Sequence, residues 1–495
     1  MVVMSQKQPD YYRILGVTGQ DSLATIQAAY ERVKKAAANG AKTDQQLIQT
    51  AYEVLSNADR RAVYDDLLQE ALQPDLQINL DLSRDTLVVS NQEQLIYMLV
   101  EITAARQDDD HHSQRPLNLC FVIDRSTSMK GERLTRVKEA VNLIFEKLTP
   151  DDVISLVSYS DRAETNVAAT DNTNIRLLQS RINAITASGG TEIYQGLVAA
   201  RRQLSGVHLS QYNNHLVLLT DGHTYGDEAQ CLELAQTMAD KGINISAFGI
   251  GTEWNDQFLD QLVAPSGGRS DFIESPEKVL QQLQERIQGL GTVHAQNLRL
   301  LPRLPKSATI SYGFKVAPFT QPLPLATDEI KLGDLEGRSP LSFLLEMKIA
   351  PQAREARLRL PLEITADFPT TAVSHQKKSY QVDAQCLVLS DPPEPQSPSP
   401  FLTKAVRMMT LYRMNEKAWA DVQAGNFDQA TRRMRHLTTR LIESGETNLA
   451  QQAQMEAERL TRLGTMSIEG RKAIKYGTRA LLDKTFKLDQ DEHLP

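Results

Sequence analysis

The stretch Cys120–Leu134, CFVIDRSTSMKGERL, decides how the rest of the chain is read. An apolar run, Leu117–Ile123, ends in Asp124, and two hydroxyls follow at alternate positions, Ser126 and Ser128. After Met129 and Gly131 an amphipathic helical pattern begins at Glu132. Apolar runs that do not alternate belong to strands buried on both faces, and helices supply the cover. An acid and two hydroxyls at the carboxyl end of such a strand stand where open α/β sheets bind their ligands.

The same grammar repeats through residues 116–290. Apolar runs at Val153–Tyr159, His215–Thr220, Ile243–Ile250 and Asp271–Ile273 alternate with helix-period segments. Those segments are Glu132–Leu148, Thr173–Ile185, Glu192–Leu204, Asp227–Lys241 and Pro276–Ile287. The pattern predicts a doubly wound α/β domain on a parallel sheet. Two further segments reach the same edge of that sheet. In SGGTEIYQGL, Thr191 precedes a helix and follows two glycines that let the loop approach closely, and in LVLLTDG, Asp221 closes another apolar run.

Asp124-x-Ser126-x-Ser128 alone also reads as a helix N-cap, with a serine satisfying free amides. With its two companions it resembles the metal-ion-dependent adhesion site of the von Willebrand factor A domain. That resemblance implies a Rossmann-like fold and a divalent ion held by the hydroxyls of Ser126, Ser128 and Thr191 and the carboxylates of Asp124 and Asp221, some through water. Thr127 stands where many members have glycine, at a position that points away from the ion. The donor chemistry agrees with this. Five hard oxygens suit Mg²⁺, with Mn²⁺ or Ca²⁺ as alternatives, over zinc or copper. Two carboxylates leave the ion electrophilic, so an Asp or Glu of another protein, or of a second copy, would complete its shell. His223, two residues past Asp221, reads as loop polarity and not as a further ligand.

Around this block the period changes. Residues 76–115 (LQINLDL, TLVVS, LIYMLVEITA) and 291–390 (QNLRLLPRL, ATISYGFKV, LSFLLEMKI, ARLRLPLEI, SYQVDAQCLVL) read as strands, so one β-sandwich is expected to be split around the α/β domain. His111 and His112 beside three aspartates read as solvated linker. SDPPEPQSPSP supplies a Pro-rich linker at 391–400, and residues 401–495 read as a C-terminal helical region with one tetratricopeptide-style hairpin near Gly425-Asn426-Phe427. Residues 1–72 read as helices. DYYRILGV, AAYERV and AYEVLSNADRRAVYD resemble a J domain, whose members stimulate a DnaK-type chaperone through a His-Pro-Asp tripeptide. Here the connection reads ANGAKTD, so the resemblance implies a J-like docking module without that activity.

Bulk properties bound the function. A chain of 495 residues with 41% apolar and 23% charged residues holds two to four domains. A net charge of −8 argues against a nucleic-acid binder, since phosphate recognition wants clustered Lys and Arg. No stretch approaches the ~18 consecutive apolar residues of a membrane span. The short polar N-terminus and three scattered cysteines point to reduced thiols in a cytoplasmic protein. No nucleophile elbow, P-loop, dinucleotide fingerprint or zinc-protease motif occurs, so no enzyme is expected. An aspartyl-phosphate site at Asp124 would need a lysine and further acids that cannot be placed. The split sandwich with an inserted A domain resembles bacterial relatives of calcium-activated chloride channel homologues and of the inter-alpha-trypsin inhibitor heavy chain. The expected function is therefore metal-dependent protein–protein interaction. The alternative is a co-chaperone-like adaptor acting with a DnaK-type chaperone or a MoxR-type AAA+ ATPase.

Overall fold

The computed structural model describes residues 11–18, 21–38, 45–58, 60–61, 75–105, 115–171, 174–224, 226–290, 293–325, 328–336, 339–369, 375–393 and 397–491. The His111-His112 tract and nearly all of the ANGAKTD connection lie outside them. The chain divides into two compact units, Met1–Gln77 with Ala105–Gln107, and the remainder.

In the first unit, helices α1 (Tyr11–Leu15), α2 (Leu23–Ala38) and α3 (Gln45–Leu55) form a small core of their own. Leu15, Ile26, Ala51 and Leu55 are fully buried within it, and the Tyr30 and Tyr52 rings stack at 4.1 Å. Ile26, Ala29, Tyr30 and Val33 recur at helical spacing, which is why α2 offers one apolar face.

In the second unit a six-stranded sheet has the order β6-β5-β4-β7-β8-β9. Its strands are β4 (Leu117–Asp124), β5 (Val153–Tyr159), β6 (Ala163–Asp171), β7 (Asn213–Thr220), β8 (Ile243–Ile250) and β9 (Arg269–Ile273). All residues of β4, β5 and β7 are buried, as non-alternating apolar strands require. On one face lie α4 (Glu132–Phe145), α5 (Ile175–Asn183) and α9 (Val279–Leu290), packed on Phe121, Ile123, Leu156 and Leu219. The other face carries α6 (Ile193–Leu204), α7 (Glu228–Asp240) and α8 (Asp256–Val263), packed on Val122, Val157, Leu216 and Ala247.

Two elements depart from the sequence expectation. The sheet is mixed and not wholly parallel, because β6 returns antiparallel to β5 at its edge. Its residues, AETNVAATD, are mostly polar and only Val167 is buried, so no apolar run marks it. Helix α8 is only eight residues long and escaped a pattern that needs several turns.

Two five-stranded sheets flank this domain, ordered β1-β3-β14-β11-β12 and β13-β10-β15-β16-β2. Here β1 is Leu76–Leu82, β2 Thr86–Val88, β3 Gln94–Ala104, β10 Val293–Pro302, β11 Ala308–Ala317, β12 Gln321–Pro322, β13 Ile330–Glu336, β14 Leu341–Ile349, β15 Ala356–Pro369 and β16 His375–Leu389. Strand β3 precedes the α/β domain and β14 follows it, yet they pair antiparallel from Gln94↔Ile349 to Ile102↔Leu341. The α/β domain is thus inserted into a sandwich built from both flanks.

The tail is four helices: α10 (Pro400–Gln423), α11 (Phe427–Glu443), α12 (Thr447–Leu463) and α13 (Ile468–Asp491). Each packs on two of the others, α10 against α11 and α13, α12 against α11 and α13, so the hairpin at Gly425 is one corner of a closed bundle. The bundle shares a core with the sandwich: Leu99, Phe314, Val316 and Leu344 pack with Leu402, Met409, Tyr412 and Leu437.

Candidate metal centre

The chain leaves β4 toward β5 on one side and later returns as β7 on the other side of β4, so the strand order reverses between β4 and β7. Asp124 ends β4 and Asp221 follows β7, both fully buried at the crevice this reversal opens.

Four of the five residues expected from the sequence join in one hydrogen-bonded chain. The Ser126 backbone N–H donates to Asp124 Oδ1 at 2.8 Å. Ser126 Oγ and Ser128 Oγ lie 3.0 Å apart, and Ser128 Oγ donates to Asp221 Oδ1 at 2.7 Å. A single 3₁₀ turn, Thr127–Met129, holds the two serines on one side, anchored by the buried Met129. Thr191, 5% exposed, stands beside the residue after Asp221: a Cβ built on Gly222 would lie 3.6 Å from its Oγ1.

Backbone bonds bring the three segments into register. Ser188 N–H donates to the Arg125 carbonyl at 2.7 Å, and both the N–H and the hydroxyl of Thr127 donate to the Gly189 carbonyl at 3.1 and 3.0 Å. Thr127 thus uses its hydroxyl on a loop and not on the acidic crevice. Gly189 has φ +82°, and a Cβ there would sit 2.5 Å from Asp161 Oδ2, so the close approach demands glycine. Gly190 N–H is received by Asp161 Oδ1 at 2.8 Å. At the start of α6 the amides of Ile193 and Tyr194 donate to Thr224 Oγ1 and Asp227 Oδ2, at 3.2 and 2.8 Å, tying the Thr191 loop to the Asp221 loop.

Two neighbours were missed in the sequence. Thr220 donates its hydroxyl to Asp124 Oδ2 at 2.9 Å, and Arg133 donates to Asp221 Oδ2 at 2.5 Å. Thr220 adjoins Asp221, so the strand-end position was the available signal. Arg133 lies on the first turn of α4, where an arginine ordinarily reads as a solvated face. His223 is exposed. Burial pushes the Asp124 carboxyl up to about 6; the bonds from Ser126 and Thr220 oppose this, while nearby Asp221 adds to it.

The donor set suits a hard divalent ion. Asp124 receives only neutral donors, and its two buried oxygens are short of positive charge. Among the described residues no three His, Cys, Asp or Glu side chains converge as a closed acidic cage would need. Any ion here would therefore depend on hydroxyls for three of its five protein ligands.

Comparisons with known proteins place these features in families. The von Willebrand factor type A domain family matches residues 118–286, the DnaJ domain family residues 10–65, and the Sll0103-like, C-terminal alpha-helical domain family residues 400–484. An uncharacterized protein of Synechocystis sp., sll0103, is 31% identical over 244 residues, which cover 48% of this chain and 58% of that protein. Inter-alpha-trypsin inhibitor heavy chain H4 of Bos taurus is 28% identical over 188 residues, 36% of this chain and 20% of that one. The chain therefore spans less than two thirds of either relative. Among solved structures, von Willebrand factor type A from Catenulispora acidiphila matches with a TM-score of 0.62 at 16% identity, over 82% of this chain and 96% of that one. This is a likeness of fold.

Proposed function

From a chain that carries a von Willebrand factor type A domain and a DnaJ-type domain, we propose a metal-dependent interaction protein that grips an acidic residue of its partner through a divalent cation. The two domains support a protein-interaction scaffold role, and domains of the A type typically bind a divalent metal. The observation that carries the finer reading is the hydrogen-bonded chain Asp124–Ser126–Ser128–Asp221 with Thr191 beside it. Asp124, Ser126, Ser128, Thr191 and Asp221 would hold the ion, Mg²⁺ by preference, and the ion would supply an electrophilic position for a foreign carboxylate. The residues' own part is to keep the ion under-neutralised: two carboxylates, one already shared with Arg133, cancel less charge than a closed calcium site does. The reading is one of binding and not of turnover. The partner is a protein presenting Asp or Glu, or a second copy of this chain, and the reduced, buried cysteines suit a cytoplasmic setting.

Capture of partners by the full chain, once with Mg²⁺ and once with EDTA, tests the proposal. A partner should be retained only with Mg²⁺ and lost in Thr191→Ala, whose thermal melting stays unchanged because Thr191 lies on a loop. Capture that persists in EDTA and in Thr191→Ala would move the binding surface elsewhere.

A further inference from the structure

Beside the candidate metal centre, on the opposite face of the same strand ends, lies a pocket of about 220 Å³. Along β4, Phe121 and Ile123 face the core under α4 and α5, and along β5, Ile154 and Leu156 do the same. Side chains alternate faces, so Arg125 and Ser158 continue those two columns past the last apolar row. Ile123 is paired with Ser158 in the sheet register. The face is apolar below and turns polar at its rim.

That rim is unusual in its hydrogen-bonding balance. Ser158, fully buried, has no partner for its Oγ among the described residues, and Asn166 Oδ1 and Arg125 Nε are likewise buried and unmatched. All three residues line the one pocket, and the exposed Arg181 of α5 lines it with them. Leaving a buried polar atom unmatched is costly, and two of these three, Ser158 Oγ and Arg125 Nε, can donate, so they mark a place short of an acceptor; Asn166 Oδ1 itself accepts. The charge sets its sign. Arg125 and Arg181 outweigh the single acid at the mouth, Glu164, and arginine forks suit a planar carboxylate. Arg125 is anchored at one end only, its Nη1 donating to Ser188 Oγ at 3.0 Å, which leaves the rest of its fork to turn into the pocket.

Arg125 also lies between two of the candidate metal ligands, Asp124 and Ser126, whose side chains serve the other face. Chain extends about 3.3 Å per residue, so one partner segment of a few residues can reach both places. We infer that the Arg125–Arg181 pocket receives a second carboxylate from the same acidic segment whose first carboxylate completes the metal shell. This rests on the adhesion reading above and adds to it: the partner would carry two acids at a fixed spacing, not one.

Fluorescence anisotropy of the full chain with labelled ten-residue Gly/Ser peptides tests this. The probes carry one Glu, or two Glu separated by one to four residues, and are run with Mg²⁺, with EDTA, and with inorganic phosphate as competitor. One spacing should bind about tenfold or more tightly than the single-Glu peptide in Mg²⁺, and Arg181→Glu should remove that gain while leaving single-Glu binding unchanged. Equal binding of one- and two-Glu peptides, a gain indifferent to spacing, or a gain that survives Arg181→Glu would overturn the inference and leave the adhesion reading standing. A spacing-dependent gain that persists in EDTA but falls with Arg181→Glu would keep the pocket and sink the adhesion reading. Phosphate that binds the pocket more tightly than the second Glu would assign it to a free anion and overturn the carboxylate assignment.

Discussion

Arg133 holds one oxygen of Asp221 with a side chain that is 34% exposed, while Ser128 takes the other oxygen. A divalent ion at this place must share Asp221 with a fixed positive charge, and the two repel. Removing a unit charge a few ångströms away in partly exposed surroundings changes the energy by about 1 kcal/mol. Arg133→Gln should therefore tighten Mg²⁺ binding about fivefold, as read by calorimetry; weaker binding would mean that Arg133 orients Asp221 more than it competes for it. At this scale Asp124, Ser126, Ser128, Thr191 and Asp221 were legible, because strand ends and glycine loops announce themselves by abrupt changes of residue type. Arg133 was not, since its partner is 88 residues away and nothing local distinguishes it from a surface arginine.

Among elements, the segment after β8 shows how tightly local structure is specified. Trp254, 1% exposed, lies flat over Gly249, and its indole N–H donates to the Gly251 carbonyl at 2.7 Å. A Cβ on Gly249 would fall 1.9 Å from the Trp254 ring, and one on Gly251, where φ is +73°, would press on the Arg133 guanidinium at 3.1 Å. Gly249→Ala should cost about 3 kcal/mol, the upper end of ordinary overpacking, in urea unfolding, because a buried ring must move. A variant as stable as the parent would show that this loop yields freely. The long apolar strands were readable because burial on both faces leaves a compositional mark. Strand β6 and helix α8 were not: the first is half solvated at an edge, the second spans too few turns for its period to stand out.

On the scale of the whole molecule, the tail is locked to the α/β domain by helix α13. Arg471, Lys472, Lys475 and Arg479, all at most 4% exposed, lie on one side of α13. Arg471 and Lys475 engage Asp256, Lys475 and Arg479 engage Asp260, and Lys472 donates to the carbonyls of Thr252 and Trp254. In the sequence these four cations, spaced as RKAIKYGTR, look like a solvated basic face. Their counter-charges sit some 215 residues earlier, beyond the reach of any local pattern. Breaking a buried pair on one side only leaves a charge stranded, so Asp256→Asn should cost about 3–5 kcal/mol. Burial alone would raise both carboxyls, but Lys475 and Arg471 beside Asp256, and Arg479 and Lys475 beside Asp260, hold them below the usual range. Depressed carboxyls stabilise the docked state fully above about pH 4 and lose that contribution as the pH falls below it. Both tryptophans report on the contact, since Lys472 lies 4.4 Å over Trp254 and Arg471 4.7 Å over Trp419. Their emission should hold steady from pH 7 to about 4 and change below, at higher pH in Asp256→Asn. A change centred near neutrality would assign the docking to other groups.

Isothermal calorimetry of the full chain with MgCl₂ addresses the centre of the account. Wild type should bind one ion in a saturable step, and Asp124→Ala, folded and melting as a cooperative body, should show none. Saturable Mg²⁺ binding that Asp124→Ala retains, or none in wild type, would contradict it.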